Sequence, residues 1–280
     1  MREKTFKEIV EMAEKKDRPK IAFGLQEEEK EILASLKKGK KYADIILVTP
    51  KGITKVVGFE VVASENPEEK IATMLAQGEV DGIIRGTIDD FKTYEAYRQI
   101  TNCKKVINPA LMEDTKGREF FLSPGSNPEG WEKEERLFIA EQIAEFAKGL
   151  GIKPIIAVFA AERHETYPRK KHIRDGVVGI LNKTYEDAEW IVAELVKKGY
   201  SAKNWAIDLN PAIEAECNII VPVNGMVGNQ IFRALYVCGS KMLACPRLGL
   251  PHCYEDNSRT ERDFEFHVKW LVSWINSKKV

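Results

Sequence analysis

Short runs of β-branched and aliphatic residues alternate along this chain with stretches whose apolar positions recur three and four apart. That is the pattern of parallel strands covered by helices. Residues 20–25 predict a first strand, and residues 26–37 a helix with Ile32, Leu33 and Leu36 on one side. Residues 43–49 and 57–63 predict two more strands, the second interrupted by Gly58. Asn66-Pro67-Glu68-Glu69 then opens a helix with an N-cap, a proline at the first helical position and acids that complement the dipole, and Gly78 closes it. Residues 81–85 predict a buried strand running into Gly86-Thr87, and residues 91–101 a helix carrying Phe91, Tyr94 and Tyr97.

The same alternation continues. Residues 105–112 and 118–122 predict strands, residues 123–130 a loop rich in turn formers, and residues 133–150 a long helix. The strongest strand pattern of the second half is residues 154–160, followed by a basic loop over 162–174. Thr184 resembles the start of a capping box, with Trp190, Ile191, Leu195 and Val196 as the apolar face of the helix behind it. Residues 205–209, 218–221 and 244–245 are short strand candidates, residues 230–237 a helix, and residues 263–276 a last amphipathic helix. No internal repeat stands out.

Composition narrows the function classes. Lys plus Arg and Asp plus Glu both number 43, so the chain has no standing positive field for a general nucleic-acid binder. No stretch approaches the roughly 20 apolar residues that span a bilayer, and the charged first twenty residues lack the apolar centre of a signal peptide. A cytoplasmic protein with no membrane role is the expectation. Cys103, Cys217, Cys238, Cys245 and Cys253 form no CxxC pair and are odd in number, against a disulfide framework. Cys245, His252 and Cys253 match no common zinc spacing, so no metal site is expected.

Ligands of open α/β sheets collect at the carboxyl ends of strands, which singles out four segments. Arg85-Gly86-Thr87 offers a cation, a close backbone approach and a hydroxyl, with the alternative that Arg85 pairs with Asp89 or Asp90. Asn224, Gly225, Gly228 and Asn229 surround a strand-to-helix turn whose N–H groups suit a phosphate, although it is neither a P-loop nor a dinucleotide fingerprint. Asp256-Asn257-Ser258-Arg259 combines a carboxylate, a hydroxyl and a guanidinium, with a plain N-cap of the final helix as the competing reading. The fourth is the basic 162–174 loop, either an attractor of acidic substrate or a solvated surface.

Three stretches, EEKIATMLAQGEVDGIIRGTI at 68–88, NGMVGNQIFRALYVCGSK at 224–241 and EDNSR at 255–259, together resemble the Mtx subunit X family. This is a methanogenesis-marker family with a methyltransferase label, related to phosphate acetyl- and butyryltransferases. The resemblance implies a two-lobed, three-layer αβα fold of the isopropylmalate dehydrogenase-like, phosphate acyltransferase type. One lobe would combine residues 1–115 with 250–280, the other would span 116–249, and a cleft would lie between them.

The same resemblance implies a transferase of methanogenic C1 metabolism acting on an anionic, phosphate- or thioester-containing small molecule. Ser258, Arg259 and Asp256 would be catalytic, and Arg85, Gly86, Thr87, Asn224, Gly225, Gly228 and Asn229 would bind substrate. A coenzyme A-type or phosphate ligand, a homodimer and methyltransferase subunits as partners follow from the kinship as well. Arg85 stands where acyltransferases tend to have small residues, and Thr-Glu-Arg-Asp follows Ser-Arg in place of their glycine-rich turn. No glycine-rich motif for S-adenosylmethionine is present. The alternative is therefore a non-catalytic subunit or ligand-sensing partner of a methyltransferase. An isopropylmalate dehydrogenase-like oxidoreductase is disfavoured, because no acidic metal cluster is visible.

Overall fold

The structure is a computed structural model describing residues 5–12, 18–103, 105–126 and 128–278. Asn127 of the turn-rich loop and residues 1–4 and 13–17 of the charged N-terminal stretch lie outside the described residues. The chain divides into two compact units, one of residues 4–106 and 243–280, the other mainly of residues 107–242.

In chain order the first unit opens with α1 (Phe6–Met12), β1 (Lys20–Gly24), α2 (Lys30–Gly39), β2 (Asp44–Pro50), β3 (Glu60–Ser64), α3 (Pro67–Ala76), β4 (Gly82–Ile84) and α4 (Asp90–Thr101). The second unit follows with β5 (Ala110–Glu113), β6 (Glu119–Leu122), α5 (Lys133–Gly149), β7 (Ile155–Val158), α6 (Tyr167–Lys170), α7 (Gly176–Lys197), β8 (Ser201–Asn204), α8 (Leu209–Glu214), β9 (Ile219–Val221) and α9 (Gly225–Val237). The chain then returns to the first unit through β10 (Lys241–Pro246), β11 (Cys253–Asp256) and α10 (Glu265–Lys278).

The first unit's strands run in the order β3-β2-β1-β4-β11-β10, parallel except for the antiparallel β10–β11 pair. Helices cover both faces. Ala22, Ile46, Ile83 and Tyr254 pack against Ile71, Met74 and Leu75 of α3 and Tyr97 of α4. On the other face α10 buries Val268, Trp270 and Leu271. Gly82 is small because a Cβ there would lie 2.9 Å from the Ile275 side chain of α10. Phe23 meets Phe264 edge-on at 4.8 Å, an arrangement that adds ~0.5–1.5 kcal/mol to the burial of both rings.

Register sets the site. Phe23 is level with Ile84, and Ile84 with Glu255, so Gly24, Arg85 and Asp256 emerge together at the carboxyl edge of three parallel strands.

The second unit orders its strands β5-β6-β9-β7-β8, with β6, β9, β7 and β8 parallel and β5 antiparallel to β6. Ile139, Ile143 and Ala147 of α5 and Ala188, Ile191 and Leu195 of α7 form its helical layer.

Three sequence expectations change. Helix α7 begins at Gly176, not at Thr184: the Thr184 hydroxyl lies inside the helix, donating to Leu181 O and accepting from Ala161 N–H, so it caps nothing. The strand expected at 205–209 is instead the turn between β8 and α8, where the Asn204 side chain takes the Ala206 N–H and Ala206 adopts φ 52°. Helix α9 starts at Gly225, five residues before the expected 230, so the Gly/Asn segment forms its first turn.

Candidate functional site

At the carboxyl edge of β1, β4 and β11 the backbone comes unusually close together. A Cβ on Gly86, which has φ 65°, would sit 2.1 Å from Gly24 O, and one on Gly24 would sit 2.4 Å from Arg85 O. The two glycines therefore let adjacent strand ends touch. Thr87 reinforces the contact by donating its N–H to Gly24 O at 2.8 Å and accepting from Gln26 N–H through its hydroxyl at 2.8 Å.

Arg85 turns inward. Its Nε donates to Asp256 Oδ1 at 2.6 Å, one terminal nitrogen to Gly86 O and Ile88 O at 2.7 and 3.2 Å, and the other to Asn257 O. Asn257 completes the tie, accepting from Gly86 N–H at 2.9 Å and donating to Gly86 O at 3.0 Å. The pairing of Arg85 with Asp89 or Asp90 that the sequence suggested is replaced by one with Asp256, 171 residues along the chain.

Asp90 belongs to a cation that the sequence reading missed. Arg247, just past β10, is only 3% exposed and donates to both Asp90 Oδ1 and Asp256 Oδ2, the latter at 2.9 Å. The rings of Tyr94 and Tyr254 lie 4.5 and 5.0 Å from its guanidinium, a cation–π cradle. The Arg247 Nε has no partner among the described residues.

The two carboxyls respond in opposite directions. Burial pushes Asp256 up, but the guanidiniums of Arg247 and Arg85 outweigh it and hold the group below the usual carboxylate range. Asp90 is raised by burial and by the charge of Asp256, against the pull of Arg247.

Asp256 ends strand β11 and α10 begins nine residues later, at Glu265, so Asp256 and Ser258 do not cap that helix. Burial of so polar a strand end is possible because both Asp256 oxygens are bonded. Between β11 and α10, the Ser258 hydroxyl shares a hydrogen bond with Thr260 at 3.0 Å, and Arg262 pairs with Glu29 at 2.7 Å. The exposed Arg259 guanidinium makes no hydrogen bond among the described residues. Behind this segment a second polar group sits in the core: His267 meets Glu255 at 2.8 Å and approaches Glu261 at 3.9 Å. Burial disfavours its charge, yet the two carboxylates raise it to about 9.

These elements surround a concavity of about 490 Å³, open to solvent, with Arg85, Gly86, Thr87, Asp90, Arg259 and Arg262 in its wall and the exposed Phe91 among the lining groups. The structure thus brings Arg85, Gly86, Thr87, Asp256, Ser258 and Arg259 into one unit, where Arg85, Gly86 and Asp256 share a polar network with Asn257, and Arg259 lies outside it. Asn224, Gly225, Gly228 and Asn229 lie in the other unit.

Their polar groups are already engaged there. Asn224 Oδ1 accepts from Val227 N–H at 3.0 Å, Gly225 N–H donates to Glu129 O at 2.8 Å, and Asn229 Nδ2 donates to Gly125 O at 3.0 Å. A Cβ at Gly225 would fall 1.6 Å from Ser126 O, and one at Gly228 1.9 Å from Pro124 O, so both glycines admit the 124–129 loop against the helix. The basic 162–174 segment folds around α6, where Tyr167 stacks on Tyr185 at 4.1 Å while Arg169, Lys170 and Lys171 face solvent.

No family model matches the chain. It is 28% identical over 262 residues to the Methanosarcina mazei protein named "Putative methyltransferase mtx subunit X", covering 92% of this chain and 90% of that one. It is 30% identical over 188 residues to an uncharacterized methyltransferase of Methanocaldococcus jannaschii, covering 65% of this chain and 72% of that one. Among solved structures, the EutD phosphotransacetylase of Staphylococcus aureus superposes with a TM-score of 0.67 over 98% of this chain and 99% of that one, at 11% identity. At that identity the likeness establishes the fold, which is the phosphate acyltransferase type expected from the sequence. By its relatives and by the motifs at 68–88, 224–241 and 255–259, the chain belongs to the Mtx subunit X family.

Proposed function

We propose that this protein is a transferase of methanogenic C1 metabolism that holds an anionic, phosphate- or thioester-containing small molecule in the concavity at the ends of β1, β4 and β11. The observation that carries this reading is the Arg259 guanidinium, exposed on the wall of that concavity without a hydrogen-bond partner among the described residues. Arg259 supplies a bidentate fork for an oxyanion, while Ser258 and Thr87 supply hydroxyls beside it. Arg85 and Asp256 act one step back. Bonded to each other and to Asn257, they hold the turn that presents Ser258 and Arg259, so the fixed charge is in place before the ligand arrives.

Asn224, Gly225, Gly228 and Asn229 are left out of the contact set, because their donors and their missing side chains are accounted for by the packing of α9 on the 124–129 loop. The kinship adds a homodimer and methyltransferase subunits as partners. A thermal-stability screen with phosphate, acetyl phosphate, coenzyme A, S-adenosylmethionine and methanogenic pterins tests the reading, since a specific ligand raises the melting temperature by mass action. A shift with a phosphate- or thioester-bearing compound that disappears in Arg259→Ala supports it. A shift with none of them, or one that survives the substitution, counts against it.

A second reading, a non-catalytic subunit, is favoured by the word "subunit" in the name of the Methanosarcina mazei relative. Co-purification with a methyltransferase, without turnover of acyl phosphate or acyl-coenzyme A, distinguishes it.

A further inference from the structure

Asp90 and Asp256 share one buried cation but not one environment. Asp256 has both oxygens bonded, Oδ1 to Arg85 and Oδ2 to Arg247, and is buried. Asp90 gives only Oδ1 to Arg247. Its side chain is 41% exposed, and it lines the concavity on which Arg259 opens. Among the described residues no donor reaches Asp90 Oδ2. The cation that orients Asp90 is itself fixed, by the Tyr94 and Tyr254 rings and by its backbone N–H, which donates to Tyr254 O at 2.9 Å. A carboxylate with one oxygen anchored, the other unbonded among the described residues, and its side chain in the wall of an open concavity has the geometry of a positioned proton acceptor.

We propose that Asp90 is the general base of the site, its Oδ2 taking the proton of a thiol or hydroxyl nucleophile bound in the concavity. The assignment rests on the transferase reading and adds a residue and a step to it. The nucleophile's S–H or O–H bond breaks, its proton goes to Asp90, and its electron pair forms the new bond to the electrophilic carbon of the co-substrate held at Arg259. The bond from that carbon to its leaving group breaks, and the pair departs with the leaving group, as phosphate when the co-substrate is an acyl phosphate. Asp90 then returns the proton to phosphate or solvent. Asp256 stays ionised throughout.

Two carboxyls whose surroundings push them apart are the pattern by which acid–base roles are recognised, and burial and the neighbouring Asp256 move Asp90 toward the operating pH. The charged groups acting on it are Arg247 beyond β10, Asp256 on β11, Arg85 after β4 and Arg259 in the following loop, with Cys245 of β10 and Tyr254 of β11 as further titratable neighbours.

Acetyl phosphate and coenzyme A serve as the probe pair, with thioester formation and calorimetric acetyl phosphate binding measured on the wild type, Asp90→Asn and Asp90→Glu. Circular dichroism checks that each variant is folded. The assignment predicts that Asp90→Asn binds acetyl phosphate within about twofold of the wild type, loses turnover by about 100-fold or more and loses the acid limb of its pH–rate profile. Asp90→Glu keeps that limb at reduced rate. Turnover of Asp90→Asn within about threefold of the wild type, with an unchanged pH profile, overturns the role of Asp90 and leaves the site reading standing. Binding by the wild type without turnover does the same. A wild type that neither binds nor converts the pair overturns the site reading and Asp90 with it.

Discussion

Two turns of this molecule carry the same sequence cue, a strand that runs through glycine into a helix, and they do different work. At the start of α9, Gly225 and Gly228 admit the 124–129 loop, and the exposed donors are capped by Asn224 and by Glu129 O. At the end of β4, Gly86 likewise admits a neighbouring backbone, Gly24 O. There, however, the side chains around it are two buried arginines and two aspartates, and a concavity remains beside them with Arg259 on its wall. Glycine at a strand end thus reports close backbone packing in both places. Only charge that stays partly unanswered marks a place for a ligand.

The sharpest break in this contrast is Arg247→Ala. It leaves the buried Asp256 and the part-exposed Asp90 as neighbouring carboxylates with one cation fewer, and removing one partner of a buried ionic group costs about 3–5 kcal/mol. Urea denaturation measures it, and a loss below ~1 kcal/mol contradicts the central place given to Arg247. On the other side, Gly225→Ala drives a methyl into Ser126 O, for a cost at the top of the ~1–3 kcal/mol typical of overpacking. That destabilisation is expected to be insensitive to added salt, since no charge is involved.

The contrast also extends to pH. His267, raised from 6.5 to about 9 against burial by Glu255 and Glu261, contributes stability that is whole below pH 6.5 and is lost as pH rises through about 9. The loss is on the order of 3 kcal/mol. Hydrogen exchange in residues 255–267 should quicken over that range while residues 224–229 stay protected, and His267→Gln should flatten the dependence. A smaller effect is expected from Asn224→Ala, about 1 kcal/mol for a lost N-cap.

Much of the fold was legible because periodicity and burial agree. Residues 20–25, 43–49 and 154–160 are apolar runs that became β1, β2 and β7, and Pro67 and Gly78 bracket α3 as their conformational limits dictate. Misreadings came where a local signal was overridden. Thr184 has the composition of a cap, but the apolar Val177, Val178 and Ile180 continue the helix upstream of it, and its hydroxyl serves the turn after β7 instead.

The site was half legible. Ser258, Arg259 and Arg85 were visible as strand-end polar residues, and register brought Arg85 and Asp256 together. Arg247 was not visible, because its partners lie 157 and 9 residues away and are brought together only by strand pairing. Its one sequence signal is an arginine between apolar residues, in Cys-Pro-Arg-Leu, where a solvated cation would be out of place.

The most direct measurement of the contrast is a calorimetric titration of acetyl phosphate into the wild type, Arg259→Ala and Asn224→Ala. Arg259→Ala removes an exposed side chain and should change stability by no more than about 0.5 kcal/mol, so loss of binding is not loss of fold. The account predicts that the wild type and Asn224→Ala bind alike while Arg259→Ala does not bind. Binding that survives Arg259→Ala and is lost in Asn224→Ala would contradict it.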